Sequence, residues 1–127
     1  MKKLLCILAI MCALPSIGGA HEMTPAYPKF SYSYIEGVLV TSLKLYNRRE
    51  DVIYYEIGVF SGEWEPIKFA TTDKVIKIGY RETKTFKVYI KAEDENKIMY
   101  ICTISRLQKE NIGTSAVSSK ICSKIKK

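Results

Sequence analysis

The stretch from Gly37 to Phe60 constrains the fold most strongly, because its side chains alternate in character with a period of two. Two runs carry this alternation, and both are rich in β-branched and aromatic residues. Apolar or β-branched residues fall on one side of each run: Leu39, Thr41, Leu43 and Leu45 in the first, Ile53, Tyr55, Ile57 and Val59 in the second.

A polar break at residues 47–51 separates the two runs, which is the length of a short hairpin connection. The sequence therefore predicts an antiparallel pair of strands. A helix would place Leu39 and Leu43 on one face, but it would scatter Val38 and Val40 around the others. The strand interpretation is favoured for that reason.

The first twenty residues predict export. Lys2 and Lys3 precede an almost wholly apolar run of eleven residues, Leu4–Leu14, and Gly18-Gly19-Ala20 provides small residues for cleavage. Spanning a membrane takes about twenty apolar residues, so this run is too short. The alternative is an uncleaved, buried helix. We expect residues 1–20 to be a signal peptide and residues 21–127 to form one domain in the periplasm.

The whole chain has a formal net charge of +7. Lys2 and Lys3 leave with the predicted signal peptide and no acid does, so the exported chain keeps a charge of +5. Such an excess favours anionic partners by long-range attraction. Ordinary solubilising charge is the alternative explanation.

Removal of the signal peptide leaves two cysteines, Cys102 and Cys122. In an exported chain they predict one disulfide, with two free thiols as the alternative. Counting back equally from a turn near Ile112 brings the two cysteines opposite each other. The bond would join neighbouring strands of a closing hairpin.

The remaining sequence predicts further short strands and no convincing helix. Two prolines in residues 21–33 exclude a central strand and predict an edge strand or an arm along the sheet. The other predicted strands are Lys74–Ile78, Thr83–Ala92, Ile98–Leu107 and Ser115–Ile125. About seven short strands separated by turns predict an all-β fold, an immunoglobulin-like antiparallel β-sandwich.

Two aromatic residues have alternative interpretations. Trp64, beside Pro66, is expected to cover one end of the core, and a ligand-stacking role is the alternative. Tyr100 lies two residues before Cys102, which is the placement of a tyrosine corner, and an ordinary core tyrosine is the alternative.

The sequence offers few residues for catalysis. His21 is the single histidine, and it would have to serve any nucleophilic triad from the first residue of the exported chain. It is also poorly spaced from Cys102 and Cys122 for a zinc site, and no Gly-rich phosphate loop occurs. We therefore expect no enzyme, no metal, no cofactor and no nucleic-acid partner.

Several segments carry a family resemblance. The exported chain resembles the amino-terminal, immunoglobulin-like domain of PapD-type periplasmic pilus-assembly chaperones. The matching segments are HEMTP (21–25), VTSLKLYN (40–47), IYYEIGVF (53–60), the hairpin from Ile76 to Val88, YICTI (100–104) and SKI (119–121).

This resemblance implies a function in protein binding. Such chaperones lend their last strand to a pilin-like subunit that lacks one, by β-strand addition. It implies that Val117, Ile121 and Ile125 are the lent side chains. It also implies that Lys120, with Lys29 in place of a first-strand arginine, holds the subunit's terminal carboxylate.

The resemblance thus predicts a single-domain, chaperone-like protein that helps to assemble a pilus, a fimbria or a related surface or secretion apparatus. We expect a monomer when the protein is free, with no transmembrane anchor after cleavage. The alternative is a pilin-like or adhesive subunit that is itself assembled. Such a subunit should lack a complete last strand and carry a donor segment at its amino terminus.

Overall fold

The computed structural model describes residues 21–106 and 119–126. The predicted signal peptide and Val117 lie outside the described residues. Within them, no helix is long and apolar enough to cross a membrane. The strands are β1 (Glu22–Thr24), β2 (Ser31–Tyr32), β3 (Val38–Tyr46), β4 (Tyr54–Ser61), β5 (Val75–Lys77), β6 (Thr83–Lys91), β7 (Ile98–Arg106) and β8 (Lys120–Lys124), with a short 3-10 helix at Ala92–Lys97.

The strands form two antiparallel sheets. In the first, β1 and β2 both pair with β3, and β3 pairs along its whole length with β6. The second has the order β5-β4-β7-β8. The predicted pair of strands therefore exists as two strands, but β3 and β4 lie in different sheets instead of forming a hairpin. The fold is an all-β, immunoglobulin-like antiparallel sandwich.

The core lies between the sheets and is built by the predicted alternation. Every second residue of β3, from Leu39 to Leu45, is buried, and so is every second residue of β4 from Tyr55. In β6 the buried side chains are Phe86, Val88 and Ile90. Burying an aliphatic side chain of this size contributes roughly 1.5–3 kcal/mol, so the period of two fixes which face of each sheet turns inward.

The chain passes from the first sheet to the second at Asn47, whose side chain is completely buried. Its amide nitrogen donates to the carbonyl oxygens of Val52 (2.7 Å) and Ile78 (2.9 Å). Its amide oxygen accepts from the Tyr55 hydroxyl and from the Arg49 backbone N–H. All four side-chain bonds are made inside the protein, so this polar residue is held without an unsatisfied group.

We predict that Asn47→Ala lowers the free energy of unfolding by roughly 2–5 kcal/mol, because it leaves buried acceptors and the Tyr55 hydroxyl without partners. Ser42→Ala, on the exposed face of β3, is the control and should change stability by less than about 0.5 kcal/mol. Urea unfolding measures both. If Asn47→Ala loses no more stability than Ser42→Ala, the structural role assigned to the Asn47 side chain is wrong.

Candidate functional site

The strand β8 lies at the border of the second sheet and is the candidate site. It pairs with β7 from Tyr100↔Lys124 to Ile104↔Lys120. Ser105 donates its backbone N–H to Ser119, and Ile125 donates to Met99, both at 2.8 Å. Because backbone direction alternates along a strand, the N–H and C=O groups of the even-numbered residues point away from β7. We call Ser119–Lys126 the β8 border.

One half of this border is covered by the chain itself. The strap, which we define as residues 25–30 between β1 and β2, crosses from the first sheet to the β8 border. Its Ala26 and Pro28 carbonyls accept hydrogen bonds from the backbone N–H groups of Lys124 (3.0 Å) and Lys126 (2.9 Å). Pro28 has no N–H to return a bond. Residues 21–33 thus show both predicted alternatives, since β1 and β2 are edge strands beside β3 and the strap is an arm along the sheet.

The other half of the border has no such cover from the residues that the structure describes. Within residues 21–106 and 119–126, no second backbone segment hydrogen-bonds to the outward groups of Lys120 or Cys122. Unpaired edge groups of this kind are a template for pairing with another chain. The open part is short, because the covered part begins at Lys124.

The side chains predicted for donation face the protein's own core. Ile125 is only 4% exposed, and Ile121 packs against the core cluster. They point inward because the odd-numbered residues of β8 share the face of Ile101 and Thr103. In this conformation Ile125 is not available to a partner and Ile121 is only partly exposed, while Val117 lies outside the described residues. Donation of these side chains therefore stays a prediction.

The two predicted carboxylate anchors are far apart. Lys29 follows Pro28 on the strap, and Pro28 bonds to Lys126, six residues from Lys120. At about 3.3 Å per residue, the backbones are roughly 20 Å apart. The structure does not bring the two lysines together, so a carboxylate site shared by them stays a prediction.

The ammonium group of Lys120 lies instead over two aromatic rings. Its Nζ is 4.5 Å from the centroid of Trp64 and 4.8 Å from that of Phe60. Trp64 stacks in turn on Tyr100, with ring centroids 4.2 Å apart and planes 3° from parallel. The rings form an aromatic patch on the outer face of the second sheet. Attraction between cation and ring at exposed sites is worth about 0.5–1 kcal/mol.

This patch corrects two expectations. Trp64 is 47% exposed and packs outside the sheet, so it does not cover the end of the core. Tyr100 lies on the outer face, where its ring is stacked, so it is neither a tyrosine corner nor a core tyrosine. The side chains of Tyr100 and Cys102 point to the outer side of β7. Those of Ile101, Thr103 and Ser105 point to the core.

A glycine makes room for this arrangement. A Cβ atom added at Gly58 would lie 2.7 Å from the ring of Phe60, which folds back over it. Gly58 is paired with Cys102 on β7. The ring of Phe60 therefore occupies the space that a side chain at position 58 would need.

The predicted disulfide is confirmed. Cys102 and Cys122 are directly paired across β7 and β8, and their sulfur atoms are bonded. The Cα atoms are 4.0 Å apart. The bond ties the border strand to the sheet at the place where its outer edge becomes open.

His21, the first described residue, is buried. His21 is 2% exposed and packs against Tyr55, with ring centroids 4.6 Å apart. Its Nε2 lies 2.8 Å from the Thr103 hydroxyl, and its Nδ1 lies 3.3 Å from the Ser119 hydroxyl. His21 thus joins β7 to the start of the β8 border.

Burial lowers the pKa of His21 from its ordinary value of 6.5. The hydrogen bond to the Thr103 backbone opposes this effect, and the charge of Arg49 adds to it. The imidazole is therefore neutral at pH 7, with one ring nitrogen as a donor and the other as an acceptor. This is a structural role, and no described group of three or more His, Cys, Asp or Glu side chains is placed to hold a metal ion.

No family model and no curated protein matches the chain. A solved structure that is similar is the crystal structure of the periplasmic chaperone SfaE, at 11% sequence identity and a TM-score of 0.48. The match covers 84% of this chain and 56% of that one, so this chain spans little more than half of that chaperone.

We predict that replacing both cysteines with serine lowers the free energy of unfolding by about 3 kcal/mol, since the bond closes a loop of about twenty residues. Thiol titration of the denatured, unreduced protein purified without residues 1–20 should find no reactive group. Two reactive thiols would contradict the bond.

We predict that stability falls as the pH drops below about 6.5. The pKa of His21 is lowered in the folded state, so the unfolded state binds more protons below that pH and is favoured there. His21→Gln should remove this part of the pH dependence, since the chain has no other histidine. Urea unfolding between pH 8 and pH 5, compared for the two proteins, measures it. The same dependence of the free energy of unfolding on pH in both proteins would contradict the prediction.

Proposed function

We propose that this protein is a periplasmic, chaperone-like protein that binds an extended segment of another polypeptide along the β8 border. In this way it helps to fold or assemble subunits of a pilus or a related surface apparatus. The observation that supports the proposal most directly is the pair of residues, Lys120 and Cys122, whose outward backbone groups have no described backbone partner. A strand added at this edge would form hydrogen bonds between its own backbone groups and those of Lys120 and Cys122.

The other long border is less suited to strand addition. Along β6, the backbone of Tyr89 exchanges two hydrogen bonds with Ala70, and the Thr71 hydroxyl donates to the Lys87 carbonyl at 2.7 Å. These contacts occupy the edge that an incoming strand would need. The β8 border is therefore the better candidate for recognition of an extended chain.

The strap covers part of the β8 border, and its displacement would make a longer edge accessible to a partner. Lys124 and Lys126 donate to strap carbonyls through two backbone bonds, each worth a net contribution of about 0.5–1.5 kcal/mol. A partner strand that displaces the strap gains these two donors in addition to the groups of Lys120 and Cys122. We propose that binding begins at the open half and continues by exchange with the strap.

The alternative, a pilin-like subunit that is itself assembled, has less support. A subunit that awaits a donor strand leaves its sandwich incomplete. Here β8 pairs with β7 and buries Ser123 and Ile125, so the described sandwich already has its last strand.

We predict that Lys120→Pro abolishes capture of the partner, because proline removes an outward N–H without removing a bond to β7. Lys120→Ala is the matched control, which removes the same side chain but keeps the N–H. Each variant is used to capture partners from the native periplasm, with the captured subunits identified by mass.

The expected result is capture of appendage subunits by the control and by the unchanged protein, but not by the proline variant. Circular dichroism and thermal unfolding should show that the proline variant is folded. Equal capture by both variants would contradict pairing at this edge. Captured proteins unrelated to an appendage or secretion apparatus would contradict the proposed function.

A further inference from the structure

A second surface, lined by residues outside the strap and the β8 border, has the chemistry of an anion site. Tyr46, Arg48, Tyr80 and Arg81 line a cavity of about 280 Å³ at the end of β3, where it meets the turn between β5 and β6. We call it the arginine pocket. No residue of the β8 border or the strap lines it, so it is independent of the function proposed above.

The backbone on both sides of the arginine pocket is held in place. Arg81 donates its backbone N–H to the Asn47 carbonyl (2.8 Å), and Asn47 donates to the Glu82 carbonyl (3.0 Å). Because Asn47 is completely buried and bonded through its side chain, it fixes the positions of its neighbours Tyr46 and Arg48. The pocket therefore lies on a rigid part of the fold.

Arg81 has a backbone conformation that residues other than glycine rarely adopt, with φ at 62°. Such conformations persist where surrounding contacts impose them, and they are concentrated at functional sites. Here the bond from Arg81 to Asn47 imposes it. The result is that the arginine side chain leaves the turn beside Tyr80.

Each arginine is stacked on a tyrosine of the same pocket. The guanidinium carbon of Arg48 is 5.8 Å from the ring centroid of Tyr46, and that of Arg81 is 5.0 Å from the centroid of Tyr80. A guanidinium group attracted to a ring in this way can still donate hydrogen bonds through its N–H groups. Contact with the rings restricts both arginine side chains before a ligand binds.

The charges around the pocket leave one arginine without an acidic partner. Glu22 accepts a hydrogen bond from Arg48 at 2.9 Å. Among residues 21–106 and 119–126, no ion pair joins an acid to Arg81. Arg49, next to Arg48, is already bonded to Asp51 through two nitrogens. Arg81 and the free edge of Arg48 are therefore the groups that can receive an anion.

We propose that the arginine pocket binds a phosphate group, carried by a small phosphate ester or by a lipid headgroup. Glu22 accepts one hydrogen bond from a single nitrogen of Arg48, so this carboxylate does not use the whole guanidinium group. Two forks held on separate elements suit a tetrahedral anion with several acceptor oxygens. The tyrosine rings supply apolar walls for the group that carries the phosphate.

The test is a titration of the purified protein with inorganic phosphate and with glycerol phosphate, followed by backbone amide NMR at low ionic strength. We expect saturable shifts confined to residues 46–48 and 79–82. Arg81→Gly, which keeps the left-handed turn, and Arg81→Lys, which keeps the charge, should each weaken binding about tenfold. Arg106→Ala is the control, because Arg106 pairs with Glu56 and does not line the pocket.

Glu22→Gln provides a change in the opposite direction. It removes the carboxylate that competes for Arg48, so phosphate should bind about threefold more tightly, given the small energies of exposed ion pairs. Equal weakening by Arg106→Ala, or unchanged binding in Arg81→Gly, would overturn the proposal. Binding of succinate as tight as that of phosphate would overturn the assignment to phosphate.

The two sources of the phosphate are distinguished with vesicles. Cosedimentation with vesicles of phosphatidylcholine that contain phosphatidic acid, lost in Arg81→Gly and absent with phosphatidylcholine alone, indicates a lipid headgroup. Binding of glycerol phosphate in solution without cosedimentation indicates a small ester. Absence of both kinds of binding would overturn the proposal.

Discussion

The hydrogen bonds of Asn47 are the interaction on which the rest of the structure depends. At this residue the chain leaves the first sheet for the second, and its side chain joins Val52 and Ile78 while it accepts from Tyr55. Burial raises the pKa of Tyr55 to about 12, so its hydroxyl remains a donor at physiological pH. Tyr55 in turn supports the ring of His21, which reaches the start of the β8 border. One buried amide thereby connects the sandwich core, the candidate edge and the arginine pocket.

The β8 border combines fixed and exchangeable parts. Its inner face is committed to the core by Ser123 and Ile125, and the disulfide attaches it to β7. Its outer edge is protected at one end by the strap, which contributes carbonyl acceptors and, at Pro28, no donor. Natural sheets protect their edges with prolines and covering segments of this kind. The proposed function uses the part of the edge that this protection leaves open.

The strands were predictable from the sequence because burial follows alternation in β3, β4 and β6, and the disulfide was predictable from equal counting along a hairpin. In β7 apolar residues occupy both faces, so alternation alone did not decide which face turns inward, and the outward orientation of Tyr100 was missed. Nor does it say which sheet a strand joins, so β3 and β4 were expected to pair. The burial of His21 depends on Thr103 and Ser119, contacts more than eighty residues away in sequence. The periodicity of the sequence gives no information about contacts between residues so far apart in the chain.

The close approach of Phe60 to Gly58 has a consequence for how this sheet can vary. Any side chain at position 58 would displace the ring of Phe60 and disturb its contacts with Trp64 and Lys120. A smaller residue at position 60 would remove that conflict. In an alignment of chains that share this sheet, the two positions should therefore covary, with glycine at 58 wherever 60 is aromatic.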